Sequence, residues 1–421
     1  MICKDTLSNG LRVITEYLPD VYSVTAALWA GTGSAYETAT EGGLSHVVEH
    51  MLFKGTGKRD YRLIAQLLED VGGQMNAFTS REYTCYYTRT LAEHFELSLD
   101  VLADMYLDSR FPAAEWDKER GVILEEINMY EDTPDDLVGE MFNRTLLPNH
   151  PYGRPVIGTA ESVSSFTRDD IDAYCRRHYS PEQTVLVVAG NIPREQVLQL
   201  AEQYLVKEGL QARSWDKPRL EAPVYGTGVV FTHKDIEQVH IMLGVPGVPG
   251  DSDDIYTLNL LNNILGGGVT SRLFQEVREQ RGLTYSVYSS VSSMAVGGSF
   301  SAYASTGPKR VDELISVLGC EMAKIASGGV TEQELARAQA QFKAGLLIGL
   351  ENSANVMARL GRAETVYGRV ETVEEQVEAI MRVTADDVRK LAECLLRPDR
   401  LALSIVGPIE PKVDLERVLS C

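Results

Sequence analysis

The sequence predicts an α+β protein of two structurally similar, duplicated domains, each a largely antiparallel sheet packed with helices. Three observations carry this prediction. At 421 residues the chain is long for one hydrophobic core, and domains of about 200 residues are the usual solution at that length. Two stretches of the first half recur in the second at constant offsets. Strand-like alternation of polar and apolar residues, as in Glu82-Tyr-Thr-Cys-Tyr-Tyr-Thr-Arg, is interleaved with helical periodicity. Such alternation suggests half-covered antiparallel strands with helices on one face.

The first half opens on Ile2-Cys3-Lys4-Asp5, which reads as a strand, so no signal or transit peptide is expected ahead of it, although an already processed chain would look the same. Gly42 to Phe53 is apolar enough for a buried helix, started near Ser45 or the glycines. A second helix opens at Arg62-Leu63 and runs to Gly72, and a strand follows around Asn76 to Tyr87. Glu115 to Glu131 carries a further helix, with Ile123, Ile127 and Tyr130 marking its apolar face. Phe166 to Ile192 reads as a helix followed by a buried strand. Lys207 to Gly226 is polar, contains Gly209, Pro218 and Pro223, and has little periodicity. The expected organisation is therefore a domain over 1–206, a linker over 207–226 and a sister domain over 227–421.

The sister domain repeats these signals. Val383 to Ile409 echoes Phe166 to Ile192 at an offset of 217, with seven identities over 27 positions. Among them are Thr167/Thr384, Asp170/Asp387, Pro181/Pro398 and Gly190/Gly407. Both copies place Thr-x-Asp-Asp where an N-cap and an acidic first turn belong. A second echo, at an offset of 210, pairs Arg62-Leu63 with Arg272-Leu273, Glu69 with Glu279 and Gly72 with Gly282. Two copies in the same order imply duplication rather than a solenoid. The helix Ile255-Tyr-Thr-Leu-Asn-Leu-Leu-Asn-Asn-Ile stands where the first half has Gly42 to Phe53, but carries neither His nor carboxylate.

Composition narrows the function classes. Sixty acidic against 40 basic residues give a net charge of −20, a field that repels nucleic acid and anionic membrane. Neither is expected as a partner, and solubility alone accounts for the charge equally well. No stretch approaches the ~18 apolar residues of a spanning helix. Cys3, Cys85, Cys175, Cys320, Cys394 and Cys421 are widely spaced and form no C-x-x-C pair. That pattern argues against a thiolate cluster or a disulfide framework and fits a reducing cytosol.

The densest chemistry lies in Ser45-His46-Val47-Val48-Glu49-His50. Two histidines four apart on a helix project from one face and can hold a single Zn²⁺. Glu49 falls on nearly the same face, where a carboxylate can act as general base toward an attacking water. The plain alternative is two core histidines and a surface glutamate. A catalytic zinc site wants three protein ligands and an open position. Glu126 is the candidate third, beside the apolar face of its helix, while Glu125 points further outward. Glu119, seven earlier, shares that face and could hydrogen-bond a ligating His.

The order H-x-x-E-H, followed 76 residues later by Glu126 in Val122-Ile-Leu-Glu-Glu-Ile, resembles the pitrilysin/insulinase family of zinc metallopeptidases. The likeness spans the chain, through Asn9-Gly-Leu-Arg-Val, Gly72-Gly-Gln-Met-Asn-Ala-Phe-Thr-Ser, His150-Pro-Tyr-Gly and Ser271-Arg-Leu-Phe-x-x-Val-Arg. Size and layout look like the branch of bacterial processing proteases and the mitochondrial processing peptidase. The resemblance implies one Zn²⁺ per chain held by His46, His50 and Glu126, with Glu49 as general base and Glu119 as supporting carboxylate. No departure occurs at these five positions, which argues against a degenerate subunit such as the core proteins of respiratory complex III. It implies that Arg278 and Tyr285 contact the substrate backbone, Tyr285 at the oxyanion; otherwise they are a surface Arg and a strand Tyr. Asn76 and Ala77 are expected on an edge strand that takes an extended peptide, or in an ordinary core strand.

These readings imply a bacterial cytoplasmic endopeptidase acting on peptides or flexible tails inside a homodimeric clamshell. Arg278 and Tyr285 of one subunit would then reach the zinc of the other, and acidic walls including Asp132, Asp135 and Asp136 would favour basic peptides. The competing class is a catalytically silent structural or chaperone-like subunit that only holds peptides.

Overall fold

The structure is a computed structural model describing residues 2–206 and 217–419; residues 207–216 of the expected linker lie outside the described residues. The first sheet contains β1 (Ile2–Thr6), β2 (Arg12–Tyr17), β3 (Ser23–Ala30), β4 (Gln74–Thr79), β5 (Thr84–Leu91) and β6 (Thr184–Gly190). Interleaved with them and following them are α1 (Leu44–Leu52), α2 (Tyr61–Glu69), α3 (Phe95–Asp108), α4 (Ala113–Asp132), α5 (Pro134–Leu146), α6 (Ala160–Ser165), α7 (Arg168–His178) and α8 (Arg194–Leu205). The second sheet is built of β7 (Gly228–His233), β8 (Val239–Pro246), β9 (Val287–Met294), β10 (Gly297–Thr306) and β11 (Ala402–Gly407). The helices that follow in the chain are α9 (Ile255–Gly266), α10 (Val311–Gly328), α11 (Glu332–Gly349), α12 (Ser353–Arg362), α13 (Val373–Arg382), α14 (Ala385–Leu395) and α15 (Leu415–Val418).

Spatial order in the sheets is β1-β2-β6-β3-β5-β4 and β7-β11-β8-β10-β9. Apart from the extra strand β1, each position in one sheet has a counterpart in the other. Both are mainly antiparallel, and each has one parallel pair at the equivalent place, β2 with β6 and β11 with β7. The fold class is thus α+β with a duplicated topology. The repeated Thr-x-Asp-Asp segments do the same local work in each copy. Thr167 accepts from the Asp170 N–H at 3.3 Å, and Asp170 accepts in return from the Thr167 N–H at 2.8 Å. Thr384 and Asp387 close the same reciprocal cap at 3.2 and 2.9 Å. Gly72 (φ +67°) and Gly282 (φ +54°) also match, each taking the left-handed conformation past its helix.

The segment opened by Arg272-Leu273 is helical and takes π geometry over Phe274–Gln280. Two expectations are corrected. Tyr130 is 41% exposed, so the buried stripe of α4 comprises Trp116, Glu119, Ile123 and Ile127. The sheets are also covered on both faces around β6 and β11, because these strands are buried at every position, which a one-sided sheet cannot satisfy.

The covering helices explain how the chain divides into compact units. The first unit draws on described residues of Met1–Asn128, Arg154–Arg219 and Leu347–Val370; the second takes Met129–Gly153, Leu220–Leu346 and Glu371–Cys421. In the first unit, α12 buries Val356, Met357 and Leu360 against Trp29, Val185 and Val187. Trp29 Nε1 lies 3.3 Å from Met357 Sδ, and Ser353 Oγ is 2.9 Å from Thr25 Oγ1. A Cβ at Gly361 would stand 2.0 Å from the Trp29 ring, so only glycine fits there. In the second unit, α5 sets Val138 against Tyr303 and Val406.

Cys3, Cys85, Cys175 and Cys394 are free thiols, whereas Cys320 is disulfide-bonded, which the expectation of no disulfide framework did not foresee. Among the described residues no single helix is long and apolar enough to cross a membrane.

Candidate metal centre

The site is seated on α1 in the first unit. Leu44, Val47, Val48, Met51 and Leu52 drive that helix into the core. His46, Glu49 and His50 occupy its more open side, and the two imidazole centroids are 4.6 Å apart. No side chain of the N-cap residue itself closes the helix, because position 43 is a left-handed glycine (φ +99°). Its terminal N–H groups are taken instead by Glu37, which accepts from Gly43 N at 2.8 Å and Ser45 N at 2.7 Å. Burial pushes the Glu37 carboxyl up to about 7 against the pull of those hydrogen bonds. Tyr174 Oη meets Ser45 Oγ at 2.7 Å from the buried side. The residue next to His46 is therefore locked from two directions.

Helix α4 supplies the carboxylates. Glu126 Oε2 lies 3.8 Å from His46 Nε2 and 3.6 Å from His50 Nε2. One ligand atom from each of the three residues falls within 4.8 Å of the others, enough to hold a metal ion. Two donors at about 2.1 Å from a tetrahedral zinc stand about 3.4 Å apart, so the observed spacings fit with little adjustment. The donor set, two imidazoles and one carboxylate, also suits zinc. Burial, reinforced by neighbouring His50, pulls the His46 pKa down to about 3, which leaves the ring neutral and its lone pair available. His46 Nδ1 is buried without a hydrogen-bond partner among the described residues. His50 differs, since its Nδ1 sits 2.8 Å from Glu119 Oε1. With the proton on Nδ1, that bond leaves Nε2 free to ligate.

Glu119 serves two partners at once. Its other oxygen lies 2.5 Å from Lys54 Nζ. Burial alone would raise its pKa, but the hydrogen bonds from His50 and Lys54 outweigh burial and hold the carboxyl below its ordinary range. The sequence reading missed Lys54, which lies in the turn just past the end of α1.

Glu49 is aimed by the adjacent sheet. Thr79, the last residue of β4, donates through Oγ1 to Glu49 Oε2 at 2.5 Å. Burial raises the Glu49 pKa and the Glu126 charge adds to it, while Thr79 and His50 pull the other way. Strand β4 is the sheet edge, and Asn76 and Ala77 lie in its middle. The Ala77 N–H is occupied by Asn76 Oδ1 at 2.8 Å, a local bond that an incoming strand would have to replace.

Arg278 and Tyr285 belong to the second unit and are assembled with each other. Arg278 Nη1 donates to the Tyr285 carbonyl at 3.0 Å, and its guanidinium stands 4.5 Å from the Tyr285 ring centroid. The Tyr285 side chain is 82% exposed. Asp132 is paired with Lys234 at 3.0 Å, while Asp135 and Asp136 lie in the first turn of α5.

Residues 12–160 match the insulinase family (peptidase family M16), and residues 165–342 match the family described as the peptidase M16 inactive domain. The chain is 41% identical to an "uncharacterized zinc protease" of Mycobacterium leprae over 99% of its length and 94% of that protein. It is 39% identical to one of Bacillus subtilis over 97% of its length and 98% of that protein. In fold it matches a crystal structure titled as a peptidase M16 inactive domain from Pseudomonas fluorescens, with TM-score 0.90, 22% identity, and coverage of 99% and 100% of the two chains. With zinc-type donors converging in the first unit and α9 bare of ligands in the second, the chain belongs to the insulinase family of peptidases, family M16.

Proposed function

We propose that this chain is a zinc-dependent endopeptidase that cleaves peptides or flexible protein tails. The observation that carries the reading is the convergence of His46 Nε2, His50 Nε2 and Glu126 Oε2 beside a half-buried Glu49. Relatives about 40% identical over nearly the whole chain and named zinc proteases support it. His46, His50 and Glu126 would hold one Zn²⁺. When bound, that ion supplies Lewis-acid polarisation of the scissile carbonyl and makes water easier to deprotonate.

The protein's own residues do the rest. Glu49, oriented by Thr79, accepts a proton from the attacking water and returns it to the leaving amine. A raised pKa suits both halves of that transfer. The free edge of β4 receives the substrate as an added strand, with Asn76 releasing the Ala77 N–H to it. Arg278 and Tyr285, preassembled and with Tyr285 solvent-facing, hold the substrate backbone and donate to the developing oxyanion. We assign them to a second copy of the chain in a homodimeric clamshell. Asp135 and Asp136 bias the enclosure toward basic peptides.

The test is digestion of a peptide library by wild-type protein and Glu49→Gln, each with and without a chelator. Wild-type cleavage that stops with chelator, and a loss of about 10²-fold or more in the variant, is the expected result. Full activity in Glu49→Gln removes the assignment. Less than one zinc per chain after gentle purification favours the peptide-holding, catalytically silent alternative.

A further inference from the structure

Lys54 follows the last turn of α1, donating its N–H to Met51 O at 3.2 Å. The next residue, Gly55, turns the chain with φ +126°, a conformation that favours glycine. The loop beyond is pinned to α3: Thr56 Oγ1 donates to Asp104 Oδ2 at 2.6 Å, and Arg59 Nη1 reaches the same oxygen at 2.7 Å. Lys54 is thus held at both ends of its backbone while its side chain reaches back over the site. Its ammonium lies 2.5 Å from Glu119 Oε2, with the lysine side chain 25% and the carboxylate 10% exposed.

Exposed ion pairs contribute little by themselves, but this one ends on a carboxylate already engaged with His50 at 2.8 Å. A carboxylate held by one oxygen can still rotate about its Cγ–Cδ bond; held by both, its plane is set. We propose that Lys54 is a positioning residue for the metal centre: by fixing Glu119 it fixes the ring plane and tautomer of His50, and so aims His50 Nε2 at the position it shares with His46 and Glu126. The proposal rests on the zinc-peptidase reading above.

The test uses full-length, metal-stripped protein and Zn²⁺ alone, titrated in competition with a chromogenic chelator. Lys54→Met should weaken zinc binding roughly 3–10-fold, somewhat less than the 10–100-fold typical of a direct hydrogen-bond partner of a ligand. Lys54→Arg, which retains a charged donor, should stay within about twofold of wild type. The melting temperature of the metal-free protein should be the same in all three, separating aim from folding. Lys54→Gln stands in if Lys54→Met is insoluble. Wild-type zinc affinity in Lys54→Met, alongside loss of binding in Glu126→Gln, overturns the proposal and leaves the zinc reading intact. Indifference of both variants, or no zinc bound by wild type, overturns both.

Discussion

Replacing Glu119 by Gln keeps the size of the side chain and removes its charge, and the local geometry determines the effect. The native carboxylate accepts twice, from His50 Nδ1 at 2.8 Å and from Lys54 Nζ at 2.5 Å. An amide has one acceptor atom for these two donors. If its oxygen faces His50, its NH₂ confronts the lysine ammonium, donor against donor. If it is flipped, the NH₂ faces His50, whose Nδ1 must then accept, and the ring proton moves to Nε2. That is the atom standing 3.6 Å from Glu126 and needed for ligation. Either way one charge-assisted bond is lost, a loss of about 1.5–3 kcal/mol. Expressed in metal affinity this is a roughly 10–100-fold rise in zinc Kd. The assay is chelator competition on metal-stripped protein, repeated for kcat/KM at saturating zinc, where the deficit should shrink. A zinc Kd within twofold of wild type would refute the claim that Glu119 sets the His50 tautomer.

Other consequences are equally open to measurement. Tyr285→Phe should lower kcat/KM by about 10–10³-fold while zinc affinity stays unchanged; an unchanged rate removes Tyr285 from the chemistry. Gly361→Ala places a methyl 2.0 Å from the Trp29 ring, and overpacking of this kind costs about 1–3 kcal/mol. Calorimetry should record Tm lower by several degrees, and no drop would mean that α12 shifts freely on the sheet. His46 and His178 both have pKa values pulled by burial to about 3, from 6.5. Between those values the unfolded chain binds more protons than the folded one, so stability falls as pH falls through the window. The effect is on the order of 1–2 kcal/mol per histidine by pH 5. Metal-free protein should therefore melt lower at pH 5 than at pH 7.5, and a flat profile would mean that these rings take up protons without unfolding.

What could be read from the sequence was what depends on neighbours within a turn or two. The spacing of His46, Glu49 and His50 puts them on one side of a helix whatever surrounds it. Thr-x-Asp-Asp makes a reciprocal cap at Thr167 and again at Thr384 from local dihedrals alone. The absence of ligand-type side chains from α9 is visible without any coordinates. Periodicity even separated half-buried Glu126 from exposed Glu125. Tertiary packing decided everything that joins distant segments. It set α4 against α1 so that Glu119 bridges His50 and Lys54. It brought Thr79 from the sheet edge onto Glu49, and Glu37 beneath the first turn of α1. It also placed α5 and α12 over the sheets of units far from them in sequence. The reason is physical: helical period and capping are fixed by local backbone geometry, whereas contacts across tens to hundreds of residues depend on which apolar faces bury against each other.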